Sequence, residues 1–256
     1  MSTPLRRRLE VAVEAAWQAG RLTLRYFQAG VEAEWKADAS PVSVADREAE
    51  KRLRVVLQAA FPDDGICGEE FGEEPGRSGY RWYVDPIDGT QSFLQGVPLY
   101  GVLVAAEGPS GVEVGAVYLP ALDEMVWAGR GEGCYWNGRR ARVSDVGDLG
   151  QATLCYTSWP SFARQGRSAA WQHLAQAARL VRGWGDCYGH VLVATGRAEA
   201  SFDPVMSPWD CGPLLPILEE AGGTFTDWDG RPTIHGRDAF STNGHILGAV
   251  LTRLRG

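Results

Sequence analysis

The sequence of 256 residues predicts a protein of mixed α+β class whose second half has α/β character. Three observations lead to this prediction. Apolar residues recur at helical spacing near the N-terminus, aromatic and β-branched runs alternate with turn residues in the middle, and helix and strand patterns alternate after about residue 148. With 45% hydrophobic residues, the chain can bury a large core as one domain or as two packed halves.

Two helices are predicted in the first quarter of the chain. Apolar residues between Leu5 and Phe27 recur at helical spacing, which places them on one face of a first helix. A proline ends the polar segment that follows. Ser43 and Asp46 then have the spacing of a capping box, so a second helix is expected to begin there and to end near Phe61.

Strand patterns fill the middle of the chain. Gly, Pro-Ser-Gly and Asn-Gly turns separate them, and short turns between successive strands predict an antiparallel meander. The predicted strands are residues 80–84, 100–107, 112–119, 124–128 and 134–136.

The second half alternates between strands and helices, as α/β proteins do. Its predicted elements are strands 152–156 and 199–202 and helices 171–179, 188–195 and 209–221. The last helix contains Pro213 and Pro216, which lack an N–H, so a kink or a late start is expected. We expect an N-terminal half of residues 1–145, a C-terminal half of residues 146–256, and a functional cleft between them.

Composition excludes several function classes. The formal net charge of −7 without a local basic patch disfavours nucleic acids and anionic membranes as partners. The N-terminal arginines are not followed by a long apolar stretch, so a signal peptide or membrane span is not expected and a cytoplasmic location is. The five cysteines are scattered without a C-x-x-C pair, which indicates reduced thiols instead of disulfides or a zinc knuckle.

The segment WYVDPIDGTQSF, residues 82–93, gathers negative charge after a predicted strand. Asp85, Asp88 and the carbonyl of Ile87 can converge there as oxygen ligands of a hard cation such as Mg²⁺. Gly89 and Thr90 follow at a predicted helix start, where backbone N–H groups can hold an anion. The alternative is an Asx-type turn in which Thr90 is only a helix cap.

Other acidic residues stand elsewhere in the chain. Glu69 and Glu70 lie in ICGEEFGEE, and Asp210 lies in SPWDCG, in the first turn of a predicted helix. Taken alone, each is explained by a solvated surface or by a favourable interaction with a helix dipole. Asp46 is likewise explained by its capping box.

Four segments in order, SVAD, GEE, DPIDGT and PWDCG followed by EEAGG, give these acids a common meaning. Together they are similar to the inositol monophosphatase superfamily of Mg²⁺-dependent, lithium-sensitive phosphatases. The resemblance spans nearly the whole chain. It implies a layered αβαβα sandwich, as in inositol monophosphatase and fructose-1,6-bisphosphatase, and a homodimer, since homodimers are common in the superfamily.

The resemblance also implies roles for individual residues. Glu69, Asp85, Asp88 and Asp210, with the Ile87 carbonyl, would bind two or three Mg²⁺ ions. Glu70 would support the site, and Asp46 with Thr90 would relay a proton from the attacking water. The amides of Gly89 and Thr90 would help to hold the phosphate. All of these residues are present in the sequence.

Two alternatives to such a phosphatase remain. The haloacid dehalogenase phosphatases use a D-x-D-G-T turn and a downstream lysine, but here two residues separate the aspartates, and both lysines, Lys36 and Lys51, precede the motif. A noncatalytic metal-binding relative should have lost ligands or the relay, and neither is lost. Both alternatives are therefore disfavoured.

Substrate choice is expected to depend on residues 182–204. GDCYG, GRAEA and PILEEAGG resemble the histidinol-phosphatase branch of the superfamily, which implies hydrolysis of L-histidinol phosphate in histidine synthesis. Asp186 could bind the protonated amine of that substrate, with Asp203 and Arg182 assisting, or it could be only the N-cap of the next helix. Inositol-1-monophosphatase or broad sugar-phosphate activity is the alternative function.

Overall fold

The structure, a computed structural model, describes residues 3–35 and 41–255. These residues form five layers: helices, an eight-stranded sheet, helices, a five-stranded sheet and helices. The predicted αβαβα sandwich is therefore confirmed.

The helices comprise three long segments and several short ones. Their bounds are α1 Thr3–Thr23, α2 Val44–Ala60, α3 Thr90–Leu94, α4 Trp159–Arg164, α5 Ser168–Ala177, α6 Asp186–Ala194, α7 Pro208–Glu220 and α8 Leu247–Arg255, and a 3₁₀ turn spans Leu149–Gln151. Within the described residues, no helix is both long enough and apolar enough to span a lipid bilayer.

The strands fall into two large sheets and one short pair. The pair is β1 Glu34–Trp35 with β2 Pro41–Val42. The first sheet contains β3 Gly65–Gly68, β4 Gly72–Glu74, β5 Arg81–Asp88, β6 Gly101–Gly108, β7 Gly111–Leu119, β8 Glu124–Gly129, β9 Gly133–Trp136 and β10 Arg139–Arg140. The second contains β11 Thr153–Tyr156, β12 Leu180–Arg182, β13 Ala200–Asp203, β14 Thr224–Thr226 and β15 Ala239–Thr242.

The eight-stranded sheet is buried on both faces. Strands β5 to β9 pair antiparallel with their neighbours in sequence, as the meander prediction required, whereas β3 pairs parallel with β5. Alternation along β5 sends Trp82 and Val84 toward α1 and α2, and Tyr83 toward α6 and α7. Gly115 of β7 is required by close packing, because a Cβ there would lie 2.2 Å from the carbonyl oxygen of Pro213 in α7.

The five-stranded sheet completes the core. Its strand order is β12-β11-β13-β15-β14, with β11 parallel to both β12 and β13. Helices α6 and α7 cover the face toward the first sheet, and α4, α5 and α8 cover the other face through an aromatic cluster. That cluster includes Phe162, Trp171, Phe202, Trp228 and Phe240.

The differences from the predicted element boundaries include those of α1 and α7. Helix α1 ends at Thr23 and not at Phe27, because Phe27 packs against Phe93 and Tyr100 in a separate cluster and Gln28 adopts a φ of +59°. Helix α7 begins at Pro208 and continues to Glu220, so of the two expectations from its internal prolines, a kink or a late start, the late start is wrong.

The predicted halves share a common interface. Every strand of the eight-stranded sheet precedes residue 145, and every strand of the five-stranded sheet follows it. Helices α6 and α7 nevertheless pack between the two sheets, so neither half buries its core alone. The boundary near residue 145 stays a prediction.

Candidate metal centre

Strand β5 carries Asp85 and Asp88 and continues beyond the strand end predicted at Val84. Asp85 lies opposite Leu103 and Asp88 opposite Gly101, so one extra residue is accommodated in β5 between the two aspartates. In a regular strand, residues three apart point to opposite faces, and a one-residue bulge resets this alternation. Pro86 lies inside the bulge, where its missing N–H leaves no ladder bond unmade. The bulge therefore allows both carboxylates to face one site.

Asp210 joins these two carboxylates from the first turn of α7. One carboxylate oxygen from each of Asp85, Asp88 and Asp210 lies within 4.8 Å of the others. The Ser207 N–H donates to Asp210 Oδ2 at 2.8 Å, and the Cys187 N–H at the start of α6 donates to Asp88 Oδ2 at 2.5 Å. Residues from three distant parts of the chain thus hold the acidic cluster in place.

The Asx-turn alternative is also present in the structure. The Ile87 N–H donates to Asp85 Oδ1 at 2.9 Å, and the Thr90 hydroxyl donates to the Ile87 carbonyl at 3.0 Å. These bonds fix the bulge and do not exclude the acidic cluster, since Asp85 still offers a carboxylate oxygen to it.

Glu69 follows strand β3 on the neighbouring side of β5. Its N–H donates to the Val84 carbonyl at 3.3 Å, which places Glu69 beside the start of the acidic segment. Burial is the largest cause of the raised pKa of Asp85, of Asp210 and of the nearby Asp46, and the charge of Glu69 raises each of them further. The structure therefore places Glu69 close enough to Asp85 and Asp210 for their charges to interact, beside the three-residue acidic cluster.

The predicted relay residues are neighbours. Thr90 Oγ1 lies 3.4 Å from Asp46 Oδ1, and Asp46 is fully buried. Asp46 Oδ2 accepts the Ser43 N–H at 2.7 Å and the Ser43 hydroxyl at 2.6 Å, which confirms the predicted capping box of α2. Gly89 adopts a φ of +83° just before α3, a conformation that favours glycine.

The acidic residues destabilise one another when they are charged. Burial, followed by the charges of Glu69, Asp88 and Asp210, raises the pKa of Asp85 well above its usual value. Burial and the Asp210 charge raise the pKa of Asp88 to about 7, and burial, chiefly, raises that of Asp210 to about 7. Carboxylate oxygens are the donors that Mg²⁺ prefers, so the set fits a divalent cation that would relieve this repulsion.

The stability of the metal-free protein is expected to fall as pH rises. Asp has a pKa of about 3.9 in the unfolded chain, whereas the folded pKa of Asp88 and of Asp210 is about 7. Their protonation therefore stabilises the native state; this contribution is fully present below pH 4 and is lost as the pH rises through 7. The loss should be on the order of a few kcal/mol, or roughly 5–10 °C in Tm.

Thermal unfolding at pH 5.5 and pH 8, with EDTA or Mg²⁺, measures this effect. The Mg²⁺-induced rise in Tm should be larger at pH 8, where the carboxylates are charged. The Asp88→Asn variant serves as control, since its pH dependence should be smaller. An equal Mg²⁺ effect at both pH values would contradict the electrostatic description of the cluster.

Of the three predicted substrate residues, Asp186 and Asp203 lie beside the acidic cluster and Arg182 does not. Asp186 and Asp203 line a cavity of about 70 Å³ with Asp88 and Asp210. Asp186 is the first residue of α6 with a φ of +53°, and Gly185 is the N-cap, so a simple N-cap role for Asp186 is wrong. Burial, then the charges of Asp88 and Asp203, raises the pKa of Asp186 well above its usual value.

Arg182 lies apart from this cavity. It is exposed on β12, at the edge of the second sheet, and its guanidinium donates to the Val181 carbonyl at 2.9 Å. The described contacts do not bring it to Asp186 or Asp203, and its predicted contact with substrate stays a prediction.

Two residues near the site were not identified from the sequence. His190 is fully buried, with Nε2 3.3 Å from Asp203 Oδ2 and Nδ1 2.8 Å from the Ser241 hydroxyl. Glu50 is fully buried beside the Glu69–Glu70 turn. Each lies four residues after a predicted site residue on the same helix, His190 after Asp186 and Glu50 after Asp46. That i, i+4 spacing was the available signal.

Comparisons with known proteins agree with this architecture. A sequence model of the inositol monophosphatase family matches residues 5–253. A protein named histidinol-phosphatase from Chlorobaculum parvum is 44% identical, with 95% of this chain and 94% of that protein covered. Another of that name from Mycobacterium tuberculosis is 38% identical, with 96% and 97% covered. The crystal structure of extragenic suppressor protein suhB from Bartonella henselae has a TM-score of 0.90 at 30% identity, with 96% of this chain and 97% of that chain covered.

Proposed function

The chain belongs to the inositol monophosphatase family and is a phosphomonoesterase, and we propose that it hydrolyses L-histidinol phosphate with Mg²⁺ as cofactor. The clustering of carboxylate oxygens from Asp85, Asp88 and Asp210 within 4.8 Å is the observation that carries the metal-dependent mechanism. The substrate follows from the relatives named histidinol-phosphatase and from the acidic cavity beside the cluster.

Two or three Mg²⁺ ions belong to the proposal. Glu69, Asp85, Asp88 and Asp210 would hold them, with the Ile87 carbonyl as a further oxygen donor. When bound, the ions supply positive charge that activates water for in-line attack on phosphorus and stabilises the departing alkoxide. Removal of this charge leaves several buried carboxylates close together, where a phosphate dianion would be repelled.

Asp46 and Thr90 provide the proton acceptor in this mechanism. The Thr90 hydroxyl takes the proton of the attacking water and passes its own proton to Asp46 Oδ1, 3.4 Å away. Burial is the main cause of the raised pKa of Asp46, because it disfavours the charged carboxylate. The raised pKa makes this carboxylate a stronger base. The Ser43 bonds to Oδ2 leave Oδ1 directed at Thr90.

The phosphate and the leaving group would lie next to each other, because a Cβ on Gly89 would stand 3.1 Å from Asp186 Oδ2. The amides of Gly89 and Thr90 hold the phosphate at the start of α3. Asp186 and Asp203 bind the protonated amine of histidinol, and His190 donates from Nε2 to Asp203 Oδ2 and orients that carboxylate. A charge-assisted hydrogen bond to an ammonium contributes about 1.5–3 kcal/mol. Phosphates of uncharged polyols cannot supply this interaction, because their leaving group carries no ammonium.

We expect a preference for histidinol phosphate over inositol-1-phosphate in kcat/KM, measured with saturating Mg²⁺. In the Asp186→Ser variant the preference should fall roughly 10- to 150-fold, the equivalent of one charge-assisted bond. Asp145→Ser, an exposed aspartate in the segment between the sheets, is the matched control and should leave the preference unchanged.

The outcomes separate substrate from mechanism. A larger kcat/KM for inositol-1-phosphate or sugar phosphates would replace histidinol phosphate as substrate and leave the metal-dependent mechanism in place. Unchanged discrimination in Asp186→Ser would remove the role of Asp186.

We propose a cytoplasmic homodimer that binds neither nucleic acids nor membranes. The formal net charge of −7 supports the last two points, since it repels nucleic acids and anionic lipids. The molar mass in solution, measured by light scattering, tests the dimer.

A further inference from the structure

Glu50 is a buried carboxylate on α2, one helical turn after Asp46, with no exposed surface. Its Oε2 accepts the Glu70 N–H at 2.6 Å, and its Oε1 accepts the Phe71 N–H at 3.2 Å. Both oxygens of one side chain therefore bind the backbone of the turn that carries Glu69. Nothing in the proposed chemistry requires Glu50 itself to contact substrate.

Arg54 closes this arrangement from the next turn of α2. Its Nη2 lies 2.8 Å from Glu50 Oε1 and also donates to the Gly72 carbonyl at 2.6 Å. The guanidinium thus compensates the buried charge of Glu50 and fixes the far end of the same turn. A buried carboxylate with one charged partner and two amide donors has well satisfied hydrogen bonding and little freedom to move.

Close packing fixes the near end of the turn. A Cβ on Gly68 would lie 2.2 Å from Glu50 Oε1, so the backbone rests directly against the carboxylate. On the opposite side, the Glu69 N–H donates to the Val84 carbonyl, one residue before Asp85. The backbone of Glu69 is therefore held between Glu50 and β5, and its side chain starts from a fixed point beside the acidic cluster.

We propose that Glu50 is a positioning residue that sets the place of Glu69 and thereby the affinity of the site for divalent cations. The inference rests on the proposed function, because it assumes that Glu69 is a metal ligand. Helix α2 then serves the site twice, through Asp46 as proton acceptor and through Glu50 as support for a ligand. Outer residues that orient metal ligands typically change metal affinity 10- to 100-fold when they are replaced.

The test is the Glu50→Gln variant, in which an amide NH₂ replaces one of the two acceptors. We expect Mn²⁺, titrated by electron paramagnetic resonance, to bind about 10- to 100-fold more weakly. The Mg²⁺ concentration for half-maximal turnover should rise by a similar factor, and kcat at saturating Mg²⁺ should recover. Arg54→Lys, which keeps the charge but loses the fork that reaches both Glu50 and Gly72, is a milder second variant with a smaller shift in the same direction.

Glu199→Gln is the matched control for loss of stability. Glu199 is also a buried carboxylate, and it accepts the Thr153 N–H at 2.6 Å. It directly precedes β13, whose other end carries Asp203. The Glu199→Gln substitution should lower Tm and leave Mn²⁺ affinity unchanged. Wild-type Mn²⁺ affinity in Glu50→Gln and Arg54→Lys would overturn the inference. If Asp88→Asn also bound Mn²⁺ like wild type, the proposed function itself would fail, so the two failures are distinguishable.

Discussion

Replacement of Asp88 by Asn is expected to abolish Mg²⁺-dependent turnover while the protein stays folded. Asp88 contributes one of three carboxylates within 4.8 Å, and the amide removes a charge that would hold the proposed cation. Metal ions supply several kcal/mol of transition-state stabilisation, and each 1.36 kcal/mol corresponds to a factor of ten. We therefore expect a loss of roughly 10³-fold or more in kcat/KM, measured with histidinol phosphate at several Mg²⁺ concentrations.

The same variant should be more stable than wild type without metal. Loss of one buried charge reduces the repulsion that raises the pKa of Asp85, so the metal-free Tm should rise and the Mg²⁺-induced increase in Tm should shrink. Asp123→Asn, at an aspartate that accepts the Tyr118 hydroxyl outside the site, serves as the control and should keep activity. Full turnover by Asp88→Asn at ordinary Mg²⁺ concentrations would refute the assigned site.

Loss of the Thr90 hydroxyl is expected to have the second largest effect. The relay requires a group that exchanges protons between water and Asp46, and valine has the shape of threonine without that group. General-base contributions of this kind are typically about 10²- to 10⁴-fold, so kcat of Thr90→Val should fall by that range. Mn²⁺ affinity should change little, because the carboxylates remain in place.

Two further variants distinguish chemistry from structure. Thr90→Ser keeps the hydroxyl and should retain most of kcat. Asp46→Asn should reproduce the low kcat of Thr90→Val, and the double variant should lose little more, since both residues act in one proton path. Activity of Thr90→Val close to wild type would show that water loses its proton by another path.

Most helices and the meander were predictable because each has a strong local pattern. The Ser43–Asp46 capping box and the apolar face of α2 identify that helix, and β6 and β7 are eight and nine residues long with clear turns between them. Strands β3, β4, β12, β14 and β15 have three or four residues each and were not predicted, because a segment that short often carries too few alternations to be recognised. Helices α4 and α8 were also missed.

The acidic residues were identified from the sequence, but their supports were not. The DPIDGT motif marks Asp85 and Asp88, whereas the bulge that aligns them depends on pairing with β6. The Cys187 N–H that binds Asp88 is 99 residues away along the chain, a contact for which no local pattern exists. No local pattern predicts the role of His190 either, since its bond to Asp203 joins α6 to β13. Sequence motifs, taken together as a family resemblance, therefore identify the candidate residues, and tertiary packing determines how they are held.

The central claim is that distant acidic residues form one site for divalent cations. Crystals soaked in Mn²⁺ test it most directly, because the anomalous scattering of manganese locates each ion without reference to activity. We predict anomalous peaks among the carboxylates of Asp85, Asp88 and Asp210, with Glu69 as a further ligand. Crystals that hydrolyse a phosphate monoester in Mn²⁺ but show no peak between these carboxylates would contradict the claim.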